Sequence, residues 1–216
     1  CVSSGEAQKV SRRLGIAKDN ITVIPNAITL DEGHLYHRSE AKNKENIILS
    51  VGRLEAYKRV DRVITALPHL SKEFTMIVIG LGPQRAALER LARLLGVNNR
   101  VRFPGDVGDE ELLKWYARSK VVVSLSEGEA FGRIVVEALA SGCRVVCSDI
   151  PAFRDFSDKF PGEVSLISSK AREQDVAKTI HAAAAKPSHS VDLRCYAGTE
   201  IAGQLLKVYS AVAGRG

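Results

Sequence analysis

Apolar residues fall along this chain in two kinds of run. The segments Asn46 to Val51, Val121-Val122-Val123-Ser124-Leu125 and Arg144-Val145-Val146-Cys147 lack polar alternation, the pattern of strands covered on both faces and hence of a parallel sheet. Elsewhere apolar positions repeat at helical spacing, as in Val60, Val63, Ile64 and Leu67. The pattern predicts a helix over about Gly5 to Leu14 and a strand over Ile21 to Ile24. Strands near Ile47, Met76, Val101, Val122, Val145 and Val164 then alternate with helices. Pro83 at a helix start and Gly96 just past its end mark one helix, and Asp109 is expected to cap the helix that carries Trp115. Trp115 and Tyr116 read as core and packing residues. Such alternation predicts an α/β protein, a three-layer α/β/α sandwich on a parallel sheet.

Chemistry concentrates in the strand-loop-helix-strand unit from Glu127 to Asp149. Ile134-Val135-Val136 and Ala138-Leu139-Ala140 look apolar all round the helix, which leaves Glu137 as a lone carboxylate in a largely buried element. Without a partner it would cost several kcal/mol or protonate. The loop before this helix lies at the carboxyl end of a parallel strand, where doubly wound sheets form their ligand crevice. The helix start offers unpaired N–H groups to an anion. Glu127 and Glu129 would repel a bare phosphate, but carboxylates accept hydrogen bonds from hydroxyls, so a ligand with both groups is implied. After the first strong strand comes Gly52-Arg53-Leu54-Glu55-Ala56-Tyr57-Lys58-Arg59, where Lys58 and Arg59 are expected to begin a helix. Cations there oppose the helix dipole, so an anion should compensate. The purely structural alternative leaves Glu127 and Glu129 as dipole partners, Glu137 paired with a distant Arg, and Arg59 solvated.

These residues resemble a family. Pro25-Asn26, Gly52-Arg53-Leu54 with Lys58 and Asp61, Gly80-Leu81-Gly82-Pro83, and Glu129-Ala130-Phe131-Gly132 followed by Glu137 and Gly142 have the order and spacing of retaining glycosyltransferases of the two-Rossmann-domain type, family four. The likeness covers roughly residues 20 to 150, and the ordered set is specific where each piece alone is weak. It implies the carboxy-terminal, Rossmann-like half of such a fold, which binds the nucleotide diphosphate sugar donor. Arg53 and Lys58 would hold the diphosphate, Glu129 the donor sugar and Glu137 the ribose hydroxyls. Gly52, Ala130, Phe131 and Gly132 would line the donor site, with backbone N–H groups near Phe131 and Gly132 on the phosphate. Arg53, Lys58 and Glu129 would be the catalytic residues, Arg53 and Lys58 stabilising the departing diphosphate together with helix N–H groups, Glu129 contacting the donor sugar, without a metal or other cofactor. The resemblance further implies that residues 1–32 are the tail of an acceptor-binding amino-terminal domain absent from this chain. Residues 33–216 are then the donor domain, and a last helix over about 197–212 crosses back. A hexose would pass to a glycan or lipid-linked acceptor hydroxyl, and this chain alone should be inactive. The chain departs from the pattern with Asn26-Ala27-Ile28-Thr29, with Arg59 where Gly often follows the lysine, with Ala130, and at Pro151 to Phe156, which lacks a Pro-Glu pair.

Composition narrows the alternatives. The chain has 216 residues, 45% of them hydrophobic and 26% charged, enough to bury a substantial core. No run of about eighteen apolar residues suggests a membrane span. The chain opens on Cys1 with neither Met nor a leader, and a fragment without a signal peptide is expected. Four scattered cysteines make no disulfide framework; Cys143 and Cys147 would lie about 13 Å apart on one strand, so free thiols and a cytoplasmic location are expected. The net charge of +6 sits on helix surfaces at positions such as Arg85, Arg90, Arg93 and Arg118, with 6% aromatic content, so no nucleic-acid footprint is expected. An anionic membrane surface is a peripheral partner by analogy alone. The histidines, His34, His37, His69, His181 and His189, are scattered and no metal site is expected. Arg38 to Glu45 reads as a domain boundary. Two other functions compete. A dinucleotide oxidoreductase fits Gly80-Leu81-Gly82 after a strand but fails at Arg85 in place of the third glycine. A non-catalytic nucleotide or nucleotide-sugar binding module fits the same residues as the transferase.

Overall fold

The computed structural model describes residues 1–28, 44–187 and 191–213. Six described strands, β1 (Glu45–Val51), β2 (Thr75–Ile79), β3 (Val101–Gly105), β4 (Ser119–Ser124), β5 (Arg144–Ser148) and β6 (Val164–Ile167), form one sheet in the order β3-β2-β1-β4-β5-β6. All five pairings are parallel. The expected α/β fold is therefore present, with its six main strands where the apolar runs place them. The order reverses between β1 and β4, whose register sets Leu49 opposite Val122, so their carboxyl ends finish side by side.

Alternate residues of β1, β2, β4 and β5 feed two cores, as the period of two requires. On one face Ile48, Val121 and Val123 pack with residues of α2 (Val60–Ala66), α3 (Arg85–Leu94) and α7 (Glu173–Ala184). On the other, Leu49, Val122 and Val145 pack with residues of α4 (Asp109–Arg118), α5 (Arg133–Ala140) and α6 (Pro151–Lys159). Each fully buried aliphatic side chain here contributes about 1.5–3 kcal/mol. Two further helices flank these layers, α1 (Ser4–Leu14) and α8 (Gly198–Ala213).

Several sequence expectations change. Ile21 to Ile24 is extended but belongs to no sheet; Ile24 N–H bonds the Cys1 carbonyl, and nearby only Ile28 forms a bridge, to Ala197. A β-branched run becomes a strand only where a neighbour takes its backbone hydrogen bonds. Lys58 and Arg59 do not begin a helix: Lys58 closes a 3-10 turn (Ala56–Lys58), Arg59 is left-handed at φ 52, and α2 starts at Val60. Asp109 is the first residue of α4 and its side chain caps nothing, since Gly108 holds the cap position. Pro83 precedes a helix that begins at Arg85.

The amino-terminal segment is packed on this body. Ser3 accepts from the Glu6 N–H and donates to the Ala130 carbonyl at 2.6 Å, while the Ser4 N–H and hydroxyl both bond Asp155. Gly5 lets α1 lie against Pro151, because a Cβ there would stand 2.5 Å from the proline Cβ. The boundary stretch expected over Arg38 to Glu45 lies outside the described residues except for Lys44 and Glu45, as do the division at residue 32, Thr29, His34, His37 and His189. No described helix is long and apolar enough to cross a membrane.

Candidate functional site

The reversal between β1 and β4 brings together loops 71 residues apart along the chain. Lys58 Nζ donates to Glu129 Oε1 at 2.6 Å, with both side chains mostly buried. The Glu127 N–H donates to the Tyr57 carbonyl at 2.8 Å, and Arg59 Nη1 donates to Glu127 Oε1 at 2.6 Å. Three consecutive residues of the first loop thus bind the second. Arg53 and Lys58 both line the small cleft at the strand ends, with Gly52, Ser50 and Ser124. Arg53 reaches furthest into solvent, its side chain 79% exposed and paired with Glu55 at 2.8 Å.

Glycines let a third loop join them. The Gly52 N–H bonds the Ile79 carbonyl and the Leu54 N–H bonds the Leu81 carbonyl. A Cβ on Gly80 would stand 2.1 Å from the Gly52 carbonyl oxygen, and one on Gly82 would stand 2.5 Å from that of Leu54. These glycines serve loop-on-loop packing, which answers the dinucleotide reading: Arg85, at the third position, bonds the Phe103 carbonyl and Glu89 instead. A cavity of about 470 Å³ opens beside them, walled by Val51, Ile79, Leu81, Val107 and Leu112 with Asp106 at its edge. Sequence reasoning missed this cavity, because its walls come from four separate loops and helix starts.

Glu137 has local partners. Tyr116 donates its hydroxyl to Glu137 Oε2 at 2.9 Å, and Arg133, one turn earlier on α5, reaches Oε1 at 3.1 Å. The helix is therefore not apolar all round, and the paired arginine is near rather than distant. Burial first, and then the Glu137 charge, push the Tyr116 phenol well above its ordinary range, so it remains a donor to the carboxylate at any ordinary pH. The sequence pattern shows Tyr116 as a core and packing residue without its bond to Glu137, because the α4 and α5 patterns cannot show that their faces meet.

Burial, and then the Glu129 charge, push the buried Cys147 thiol upward. Ala130 is exposed, but its carbonyl takes the Ser3 bond. Phe131 is core: its ring lies 5.4 Å from that of Phe156 and 5.9 Å from that of Tyr196. Gly132 opens α5 at φ 98, where a Cβ would stand 2.7 Å from the Phe153 ring. All four cysteines are free thiols. Among the described residues no group of three or more His, Cys, Asp or Glu could hold a metal ion.

A parallel doubly wound sheet with a cationic and a carboxylate loop meeting at its switch point defines a Rossmann-like protein with a ligand crevice. The glycosyl transferases group 1 family matches residues 35–198, and the chain belongs to that family. The uncharacterized glycosyltransferase MJ1607 of Methanocaldococcus jannaschii is 32% identical over 161 residues, 69% of this chain and 41% of that protein. A D-inositol 3-phosphate glycosyltransferase of Xylanimonas cellulosilytica is 31% identical over 165 residues, 69% of this chain and 40% of its own length. The structure of Anabaena HepE in complex with UDP and glucose shares the fold, with a TM-score of 0.78 at 20% identity over 98% of this chain and 62% of HepE. This chain spans about two fifths of the length of the curated relatives it matches.

Proposed function

We propose that this chain is the donor-binding domain of a retaining hexosyltransferase, which moves a hexose from a nucleoside diphosphate sugar to a hydroxyl on a glycan or lipid-linked acceptor. The observation that carries the reading is the Lys58–Glu129 contact at the sheet's switch point, which sets a cation and a carboxylate side by side. An ammonium has three donors, so Lys58 can hold Glu129 with one and phosphate oxygens with the others. Glu129 keeps acceptor positions for sugar hydroxyls. Arg53, exposed and paired with Glu55, would turn to the same diphosphate together with backbone N–H groups at the start of α5.

The apolar cavity beside Gly80 and Leu112 suits the flat base. Leu112, which lines the cavity, and Tyr116, which holds Glu137, are one turn apart on α4, and Glu137 would take the ribose diol that follows the base. As the sugar-phosphate bond breaks, negative charge grows on the diphosphate, and preplaced Lys58 and Arg53 stabilise it with no metal in the scheme. The acceptor site would belong to an amino-terminal domain, of which residues 1–32 are the tail. A cytoplasmic setting, with the acceptor at a membrane face, fits this reading. Family membership and the UDP-bound relative of the same fold support it.

Calorimetric titration with UDP tests it. Saturable binding is expected, and Glu137→Gln should weaken it by roughly 1.5–3 kcal/mol, the range for a hydrogen bond to a charged group. No saturable binding by the wild-type chain, or unchanged affinity in Glu137→Gln, would reject the donor site or the ribose role respectively.

A further inference from the structure

Among the described residues Arg59 is the only one other than glycine with a positive φ, at φ 52 and ψ 39. That conformation is costly for any residue with a Cβ and free for glycine. Something must hold Arg59 there, and its side chain shows what. Nε and Nη2 each donate to Asp61 at 3.2 Å, and Nη1 donates to Glu127 at 2.6 Å. Both carboxylates raise the Arg59 pKa further, Asp61 the more. Asp61 lies in the first turn of α2, and Glu127 in the loop after β4. The guanidinium therefore spans the two loops at the switch point, one residue along from Lys58. The Glu127 N–H, bonded to the Tyr57 carbonyl, closes the other side of the same junction.

We propose that Arg59 is a positioning residue, a clamp that holds the loop after β4 against the loop after β1 and so fixes Lys58 opposite Glu129. What it positions rests on the donor-site reading above; the clamp itself rests on the geometry alone. Without the clamp the second loop samples positions in which Glu129 leaves Lys58, and the binding-competent fraction falls.

Three variants of the full chain, Arg59→Gly, Glu127→Gln and the pair together, are followed by amide hydrogen exchange at Glu127, by melting and by UDP titration. Exchange at Glu127 should speed up in both single variants, and no further in the double. UDP affinity should fall about fivefold in each single variant and no more in the double, the size of effect expected when one shared pair is lost. Arg59→Gly relieves backbone strain as it removes the pair, so its melting temperature should stay within about 3 °C of wild type. A purely structural role would move melting and affinity together. Unchanged Glu127 exchange in Arg59→Gly would overturn the clamp. Weakened UDP binding in Arg59→Gly with full affinity in Glu127→Gln would make Arg59 a direct anion contact and also overturn it. If the wild-type chain binds no UDP, the donor reading fails while the exchange result still decides the clamp.

Discussion

At the scale of single residues, the site's two loops are joined by ion pairs between elements, Lys58 with Glu129 and Arg59 with Glu127. Lys58 and Glu129 are both largely shielded from solvent, so removing either would leave a buried charge alone, a loss larger than the pair's own net contribution. Glu137 is held differently, by a neutral phenol on one oxygen and an exposed arginine on the other. The phenol is fully buried and cannot reorient toward water. Tyr116→Phe should therefore cost roughly 1.5–3 kcal/mol of stability, because it removes a hydrogen bond to a charged acceptor. It should also weaken UDP binding, by less than Glu137→Gln does, since the carboxylate keeps its charge but loses its orientation. Urea unfolding and calorimetry check the two halves. Unchanged UDP affinity would show that Tyr116 only fills the core.

At the scale of elements, α5 begins where it does because Gly132 permits two things at once: a left-handed turn at φ 98 and close approach of the Phe153 ring. Gly132→Ala should cost about 1–3 kcal/mol and lower the melting temperature by roughly 2 to 4 °C for each of them. Gly108→Ala is the control, at φ −68 with open space around the added methyl, and should leave melting unchanged. Equal melting of the two variants would contradict this account of the helix start. The same element shows what was legible beforehand. Unalternated apolar runs marked β1, β4 and β5, because a strand covered on both faces must be apolar throughout. The spacing of Glu129 and Glu137 pointed to the site, but their partners did not follow from it. Tyr116 and Lys58 are 21 and 71 residues away, and only strand order and register bring them near. Ile21 to Ile24 departs from its expectation for the converse reason: local composition suits a strand, yet among the described residues no strand pairs with it. Arg59 was misread as a helix residue because its left-handed backbone is set by Asp61 and Glu127 rather than by its own propensity.

At the scale of the whole molecule, α8 buries Ile201 but leaves Leu206, Tyr209 and Val212 each about two-thirds exposed. The matched stretch covers only about two fifths of each relative's length, and that face fits the proposed second domain. On the proposed reading, in which a second domain supplies the acceptor half and the opposite crevice wall, this chain by itself should bind a nucleoside diphosphate and transfer no sugar. Radiolabelled transfer from UDP-glucose to added acceptors checks this, and turnover at ordinary enzyme rates would contradict it. The central claim is that Arg53 and Lys58 act together on one diphosphate. Its most direct test is a double-mutant cycle, Arg53→Ala, Lys58→Ala and both, measured by calorimetry against UDP and against uridine, with and without EDTA. The account predicts large losses for UDP, small ones for uridine, a non-additive double variant and no effect of chelator. Equal losses for UDP and uridine, or binding abolished by EDTA, would contradict it.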